Sequence, residues 1–316
     1  MMEPGPTRKQ IARQAVLFTS LALFASASGC QKTETAPAGP KAFTSADSAG
    51  NAVYDAAKAG DSNAMLVIFG PDAKDLIVSG DEVQDRQGMR GFAEGYEQMH
   101  RWGKLVDGGV VLNIGAENYP FPFPLMKNNA GQWSFDSNGA KVEILARRIG
   151  SNELAALDVL NAIVDAQSEY FSQLHDGGKV SQYAQKIVSD SGKQNGLYWK
   201  AGDNQPESPL GPLAASAASE GYSGQQLPQP FHGYIYRILL RQGANASGGA
   251  KDYVVNGNMT SGFAVLAYPA RYGASGVMSF MVNYEGVVYE KNLGRETKAL
   301  AAELTTFNPD SSWVRQ

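Results

Sequence analysis

Asn152-Glu153-Leu154-Ala155-Ala156-Leu157-Asp158-Val159-Leu160-Asn161-Ala162-Ile163-Val164-Asp165-Ala166-Gln167-Ser168-Glu169-Tyr170-Phe171-Ser172-Gln173-Leu174-His175 has the clearest helical periodicity in the chain. Leu154, Leu157, Leu160, Ile163, Val164, Phe171 and Leu174 recur three and four apart, the spacing of a helix with one apolar face. Asn152 is placed to cap it and Gly177-Gly178 to stop it. Downstream the period changes to that of strands, at Gly233 to Leu240, Gly262 to Tyr268, Val277 to Val282 and Val287 to Lys291. Turn chemistry separates them: Asn256-Gly257, then Pro269 with Gly273 and Gly276, then Glu285-Gly286. One long helix on an antiparallel meander would bury the helix stripe and one face of the sheet. The spacing therefore predicts an α+β domain over 150–316. Between helix and strands, Pro206, Pro209, Pro212, Gly221 and Gly224 argue against long regular elements.

Working outward to the N-terminal side, 42–149 reads as a second α+β layer pair. Helices are expected over Ser48 to Ala59 and Asp85 to Met99 and a short helix or turn from Ala64 to Phe69, with Gly60 ending the first helix and Asp61 able to cap the next segment. Strands follow at Val110 to Ile114, Phe123 to Lys127 and Gln132 to Asp136. In Tyr119-Pro120-Phe121-Pro122-Phe123-Pro124 every second residue is proline, which excludes a helix or a central strand. The segment reads as a stiff edge that tucks its aromatics inward. The other reading is a polyproline-type ligand for a partner.

Ala59-Gly60-Asp61 between the first helices and Gly131-Gln132-Trp133-Ser134-Phe135-Asp136 in a late strand resemble the NTF2-like cone fold. That resemblance implies a pocket between the helices and a curved sheet, which Tyr96, His100, Trp102 and Trp133 could line. The plainer reading makes these aromatics ordinary core and the histidine a surface or hydrogen-bonded residue.

The N-terminus reads as an export signal over 1–29. Arg8, Lys9 and Arg13 precede an apolar run from Ala15 to Phe24, and Ala27-Ser28-Gly29 stands directly before Cys30, the only cysteine. The run is shorter than the ~20 residues a spanning helix needs. The pattern fits cleavage between Gly29 and Cys30 with lipid attached to Cys30. The expected location is the bacterial cell envelope, lipid-anchored and facing the periplasm. Resemblance to Gram-negative lipoproteins implies the outer membrane, since Gln31 rather than Asp follows the cysteine. Residues 30–41 read as a flexible tether rich in Thr, Ala, Pro and Gly.

The formal charge is −4, and the signal carries three basic residues and one acid, so the mature chain has −4 − (3 − 1) = −6. An acidic chain without a basic cluster is a poor nucleic-acid binder. With its one cysteine used as an anchor, the fold rests on packing rather than disulfides.

Several runs carry a wider resemblance. They are Gly233-Tyr234-Ile235-Tyr236-Arg237-Ile238-Leu239, Asp252-Tyr253-Val254-Val255-Asn256-Gly257, Gly262-Phe263-Ala264-Val265 and Tyr272-Gly273-Ala274-Ser275-Gly276-Val277-Met278-Ser279-Phe280. With Pro120-Phe121-Pro122 and Arg147-Arg148-Ile149-Gly150, they resemble the DUF2950 family of bacterial proteins, which implies no activity. Asn161 to Tyr170 and Asn283-Tyr284-Glu285-Gly286 resemble pilin-like globular domains, without the apolar N-terminal helix of a true pilin.

His100, His175 and His232 are far apart in sequence, and none has a partner at ligand spacing, so no metal and no cofactor is expected. There is no Gly-x-Ser-x-Gly elbow and no P-loop. Asp72, Asp75, Asp81, Glu82 and Asp85 read as a solvated acidic loop. The expected function is that of a non-catalytic envelope module that binds a protein or glycan partner. The alternative is a small-ligand carrier, or a hydrolase- or isomerase-type enzyme, using a pocket in the N-terminal domain, with Asp81 or Asp85 beside His100 as acid and base.

Overall fold

The computed structural model describes residues 39–202, 206–223 and 229–316. The signal segment with Gly29 and Cys30, and the tether up to residue 38, lie outside the described residues. The fold is α+β. Lys41, expected as the end of the tether, is already docked, its N–H donating to Val67 O and Ile68 O at 3.2 Å.

Helix α1 (Ala46–Ala59) opens with Ser45 and Ser48 capping each other's backbone and closes on Gly60 in the left-handed conformation, φ 65°. Asp61 caps α2 (Ser62–Phe69), accepting from the N–H of Asn63 and Ala64. After the single turn of α3 (Lys74–Ile77), α4 (Glu82–Gln98) starts ahead of Asp85 because Asp81 caps it. The strands β1 (His100–Lys104), β2 (Val110–Ile114), β3 (Tyr119–Pro120), β4 (Leu125–Lys127) and β5 (Trp133–Phe135) make an antiparallel sheet in the order β1-β2-β4-β5, with β3 on β2. The proline-rich segment is the stiff edge the sequence predicts. Pro120 pairs with Asn113, and Phe123 stacks on Phe69 with centroids 4.2 Å apart.

Helix α5 (Ser137–Phe171) is 35 residues long. Its start corrects the sequence reading: Asp136 caps it, accepting from Asn138 N and Gly139 N, and Asn152 lies in mid-helix. Gly139 and Gly150 hide the upstream half from a propensity reading. The helix ends at Phe171 rather than His175, whose ring instead folds back onto Tyr170 with centroids 3.8 Å apart. The buried stripe is also rotated from the expected one. Ala156, Val159, Leu160, Ile163, Ala166 and Tyr170 face inward, while Leu154 and Leu174 are 67% and 58% exposed. The division expected between 149 and 150 falls inside α5. Ala140 packs in a core with α1, α2 and α4, and Ala156 onward packs in a core with the C-terminal sheet.

The short α6 (Gly211–Ser219) lies in the stretch expected to lack long elements. Next come β6 (Tyr234–Leu239) and two short ladders, β7 (Arg241–Gln242) with β8 (Lys251–Asp252) and β9 (Val254–Val255) with β10 (Asn258–Met259). Strands β11 (Ala264–Pro269), β12 (Met278–Asn283) and β13 (Val288–Asn292) follow, then α7 (Thr297–Glu303) and β14 (Val314–Arg315). The larger sheet runs β14-β13-β12-β11-β6, all antiparallel. It is the predicted meander, with α5 laid against β11 and β12.

A buried polar seam joins the two cores. Asp81, 1% exposed, accepts from Val83 N and Gln84 N at 3.1 Å through Oδ1. Through Oδ2 it accepts from Tyr222 Oη and Gly233 N at 2.9 Å. Asn152 exchanges hydrogen bonds with Gln84 and donates to Ser275 O at 2.8 Å. Glu153 Oε1 accepts from Val277 N and Met278 N, both at 2.9 Å. These bonds give each buried polar group a partner, without which burial would cost several kcal/mol. They also correct the reading of Asp81 as part of a solvated acidic loop, while Asp72 and Glu82 are exposed as that reading expects.

Candidate functional site

Side chains of α1 to α4, the Phe121–Phe123 edge and α5 line a partly open cavity of about 280 Å³. Four phenylalanines form much of its wall. Phe69 stacks on Phe123 at 4.2 Å and Phe92 meets Phe121 at 4.7 Å. Val53, Met65 and Met89 fill in between, and three polar side chains, Gln84, Asp85 and Arg148, also line it. A concave apolar site with a few convergent polar groups is the usual form of a small-molecule site.

The polar groups are held by local structure. A single-turn helix leaves its last carbonyls without intrahelical partners. Arg148 supplies one for α3: its guanidinium donates to Asp75 O at 2.9 Å and to Leu76 O. Arg271 braces the same segment from the C-terminal sheet, donating to Val78 O at 3.1 Å and pairing with Asp75 at 2.5 Å. Asp85 accepts the Ser79 N–H on both carboxylate oxygens, at 3.1 and 3.0 Å. Burial raises the Asp85 pKa above 3.8, against the lowering pull of the Ser79 hydrogen bonds and the Arg148 charge. Burial also pulls Arg148 down, opposed by Asp85 and Asp75, but a guanidinium stays charged in proteins. The two charges act on each other across a gap, since both hydrogen bonds of Arg148 go to main-chain carbonyls.

The raised pKa fixes a sign. Folded Asp85 holds its proton more tightly than the unfolded chain does, so its contribution to stability falls as pH rises from about 3.8 through the folded value, then levels off. Asp85→Asn removes this titration and can still accept from Ser79. The urea midpoint of the variant minus that of the native chain is expected to rise with pH over that window, because the falling contribution of Asp85 is removed. Parallel curves for the two proteins would contradict the burial-driven shift.

The structure brings together three of the four aromatic candidates and separates the fourth. Tyr96 is buried and donates to Asn51 Oδ1 at 2.9 Å. His100 is exposed and lies flat on the Tyr96 ring at 3.8 Å, with Nδ1 2.9 Å from Tyr96 O. Trp102 donates to Asp47 Oδ1 at 3.1 Å. Trp133 is on β5, at the opposite edge of the sheet from β1, and pairs with Phe43 through two 2.8 Å hydrogen bonds. None of the four lines the cavity. The acid–base pairing of His100 with Asp81 or Asp85 is not formed: the histidine contacts Tyr96, Asp81 is enclosed in the seam, and Asp85 is held by Ser79. Among the described residues no group of three or more His, Cys, Asp or Glu could hold a metal ion.

Arg148 is the cavity residue that sequence reading misses. Its neighbour Arg147 is exposed and pairs with Glu143, and in sequence the two arginines look alike. The distinguishing signal is phase, since Arg148 follows Ile144 by four positions on the face that packs into the first core.

A second cavity, of about 140 Å³, lies between α5 and α6, walled by Ile163, Leu210, Leu213, Tyr222, Phe231 and Tyr236. Its lining holds no charged group.

These features define an α+β protein with a ligand-sized cavity at one end of a polar seam. The chain belongs to the DUF2950 family, described as proteins of unknown function, which matches residues 40–315. No curated protein and no solved structure matches it.

Proposed function

We propose that this chain is a lipid-anchored protein of the bacterial cell envelope that holds a small, largely apolar molecule in its N-terminal cavity without transforming it. The 280 Å³ cavity with its phenylalanine wall carries this reading. It is about twice the ~150 Å³ cavity that accommodates benzene in an engineered protein. The residues at the Gly29–Cys30 junction carry the anchor, with Cys30 as the attachment point and the outer membrane as its site. An envelope protein or glycan partner is the second reading. It is favoured by exposed His100, which covers the buried Tyr96 ring near half-buried Trp102 and so presents one imidazole face at the surface of the domain.

One measurement tests both parts. In native mass spectrometry of protein gently extracted from its own envelope, a covalent lipid mass should persist on denaturation and vanish in Cys30→Ser. A further small mass should leave on denaturation. An unmodified Cys30 would remove the anchor from the proposal. A co-purifying polypeptide or oligosaccharide with no small ligand would replace the carrier reading with the second one.

A further inference from the structure

The cavity presents two opposite charges and an aromatic wall to the same space, and that combination selects a ligand class. Resting on the carrier reading, we propose that the ligand is a zwitterionic α-amino acid with a large apolar side chain. Its carboxylate would sit on Arg148, its ammonium on Asp85 and its side chain among Phe69, Phe92, Phe121 and Phe123.

Three observations support this. First, the Arg148 guanidinium has five N–H donors, and its protein acceptors are the carbonyls of Asp75 and Leu76. Donors remain for a planar carboxylate, the group an arginine fork fits best. Second, the Asp85 oxygens each accept from Ser79 N, and a carboxylate has about four acceptor positions. It can therefore still take an ammonium. Third, the two side chains line one cavity without pairing with each other. A ligand with both charges on one carbon would fill the gap between them and neutralise each. A simple carboxylate would face Asp85 as a like charge, a simple amine would face Arg148, and a neutral hydrocarbon would leave both unpaired in an apolar enclosure. The four phenyl rings set the preference for an apolar side chain, and the volume sets its size.

The test is calorimetric titration of the full mature chain at neutral pH with L-phenylalanine, 3-phenylpropionate, 2-phenylethylamine and ethylbenzene. These four share the aromatic end and differ in the charged groups. Phenylalanine is expected to bind about tenfold or more tighter than each of the others, the scale of a hydrogen bond to a charged group. Arg148→Gln should weaken phenylalanine and phenylpropionate and spare phenylethylamine. Asp85→Asn should weaken phenylalanine and phenylethylamine and tighten phenylpropionate, whose carboxylate no longer faces a like charge. Arg148 also anchors two carbonyls, and loss of those bonds is a separate route by which its variant can fail to fold. The ranking of the four ligands on the native chain, together with Asp85→Asn, then decides. If phenylpropionate or ethylbenzene binds as tightly as phenylalanine, the zwitterion class is wrong while the carrier reading stands. If none of the four binds, including ethylbenzene, both fall.

Discussion

Asp81→Ala is expected to destabilise the protein by about 4 kcal/mol, seen as a large drop in the urea midpoint at neutral pH. The carboxylate receives four hydrogen bonds, two from the first turn of α4 and two from Tyr222 and Gly233. Loss of a helix cap alone costs ~1 kcal/mol. Stranding the buried Tyr222 hydroxyl and the Gly233 N–H adds ~1–3 kcal/mol for each unsatisfied group, with partial relief as water enters. Asp81→Asn keeps the acceptor on one side and should lose clearly less. A loss under 1 kcal/mol for the alanine variant would mean that the seam contributes little to holding the two cores together.

Gly233→Ala should be nearly as damaging, for a different reason. Gly233 has φ 75°, a conformation that alanine adopts at a cost of ~1 kcal/mol. A Cβ there would lie 2.3 Å from Asn152 Nδ2 and 3.1 Å from Ser275 Cβ. Those neighbours belong to the seam, so making room for a methyl breaks the Asn152–Ser275 bond and pulls Gly233 N away from Asp81. A combined loss of about 3 kcal/mol is expected. The double variant with Asp81→Ala should fall well short of the sum, because both changes dismantle one network. Full additivity would show that the two residues act independently.

Much of the fold is readable from local pattern. Tyr234–Leu239, Ala264–Pro269, Met278–Asn283 and Val288–Asn292 were legible because apolar runs and glycine turns fix both type and limits. Strand β1 was not, because His100-Arg101-Trp102-Gly103-Lys104 is an edge strand that stays largely exposed and so lacks an alternating core face. The first half of α5 was hidden because it buries little: Val142, for instance, is 79% exposed.

The candidate site was less legible still. That an N-terminal pocket was worth seeking came from resemblance, but its lining did not. Tyr96 and Trp102 stand out as aromatics, yet they pack as core against the buried face of α1 at Gly50, where a Cβ would touch both at 3.2 Å, and not on the cavity. Of the phenylalanines that do line the cavity, Phe121 and Phe123 belong to the edge expected to tuck inward, while Phe69 and Phe92 sit on helices where nothing in the sequence distinguishes a cavity wall from ordinary core. Asp81 looked like one acid in a solvated run because its burial comes from partners 141 and 152 positions away.

Those two separations also bear on how the chain is made. Synthesis delivers Asp81 long before Tyr222 and Gly233, and contacts this distant in sequence form late. Until they do, the start of α4 carries a charged group with half its partners missing, and the N-terminal core waits for Ala140 and Arg148 to arrive on α5. The seam is therefore among the last parts of the fold to be completed. A chain that ends between residues 85 and 221 holds Asp81 with only its two α4 donors, and its two cores are not yet joined through that carboxylate.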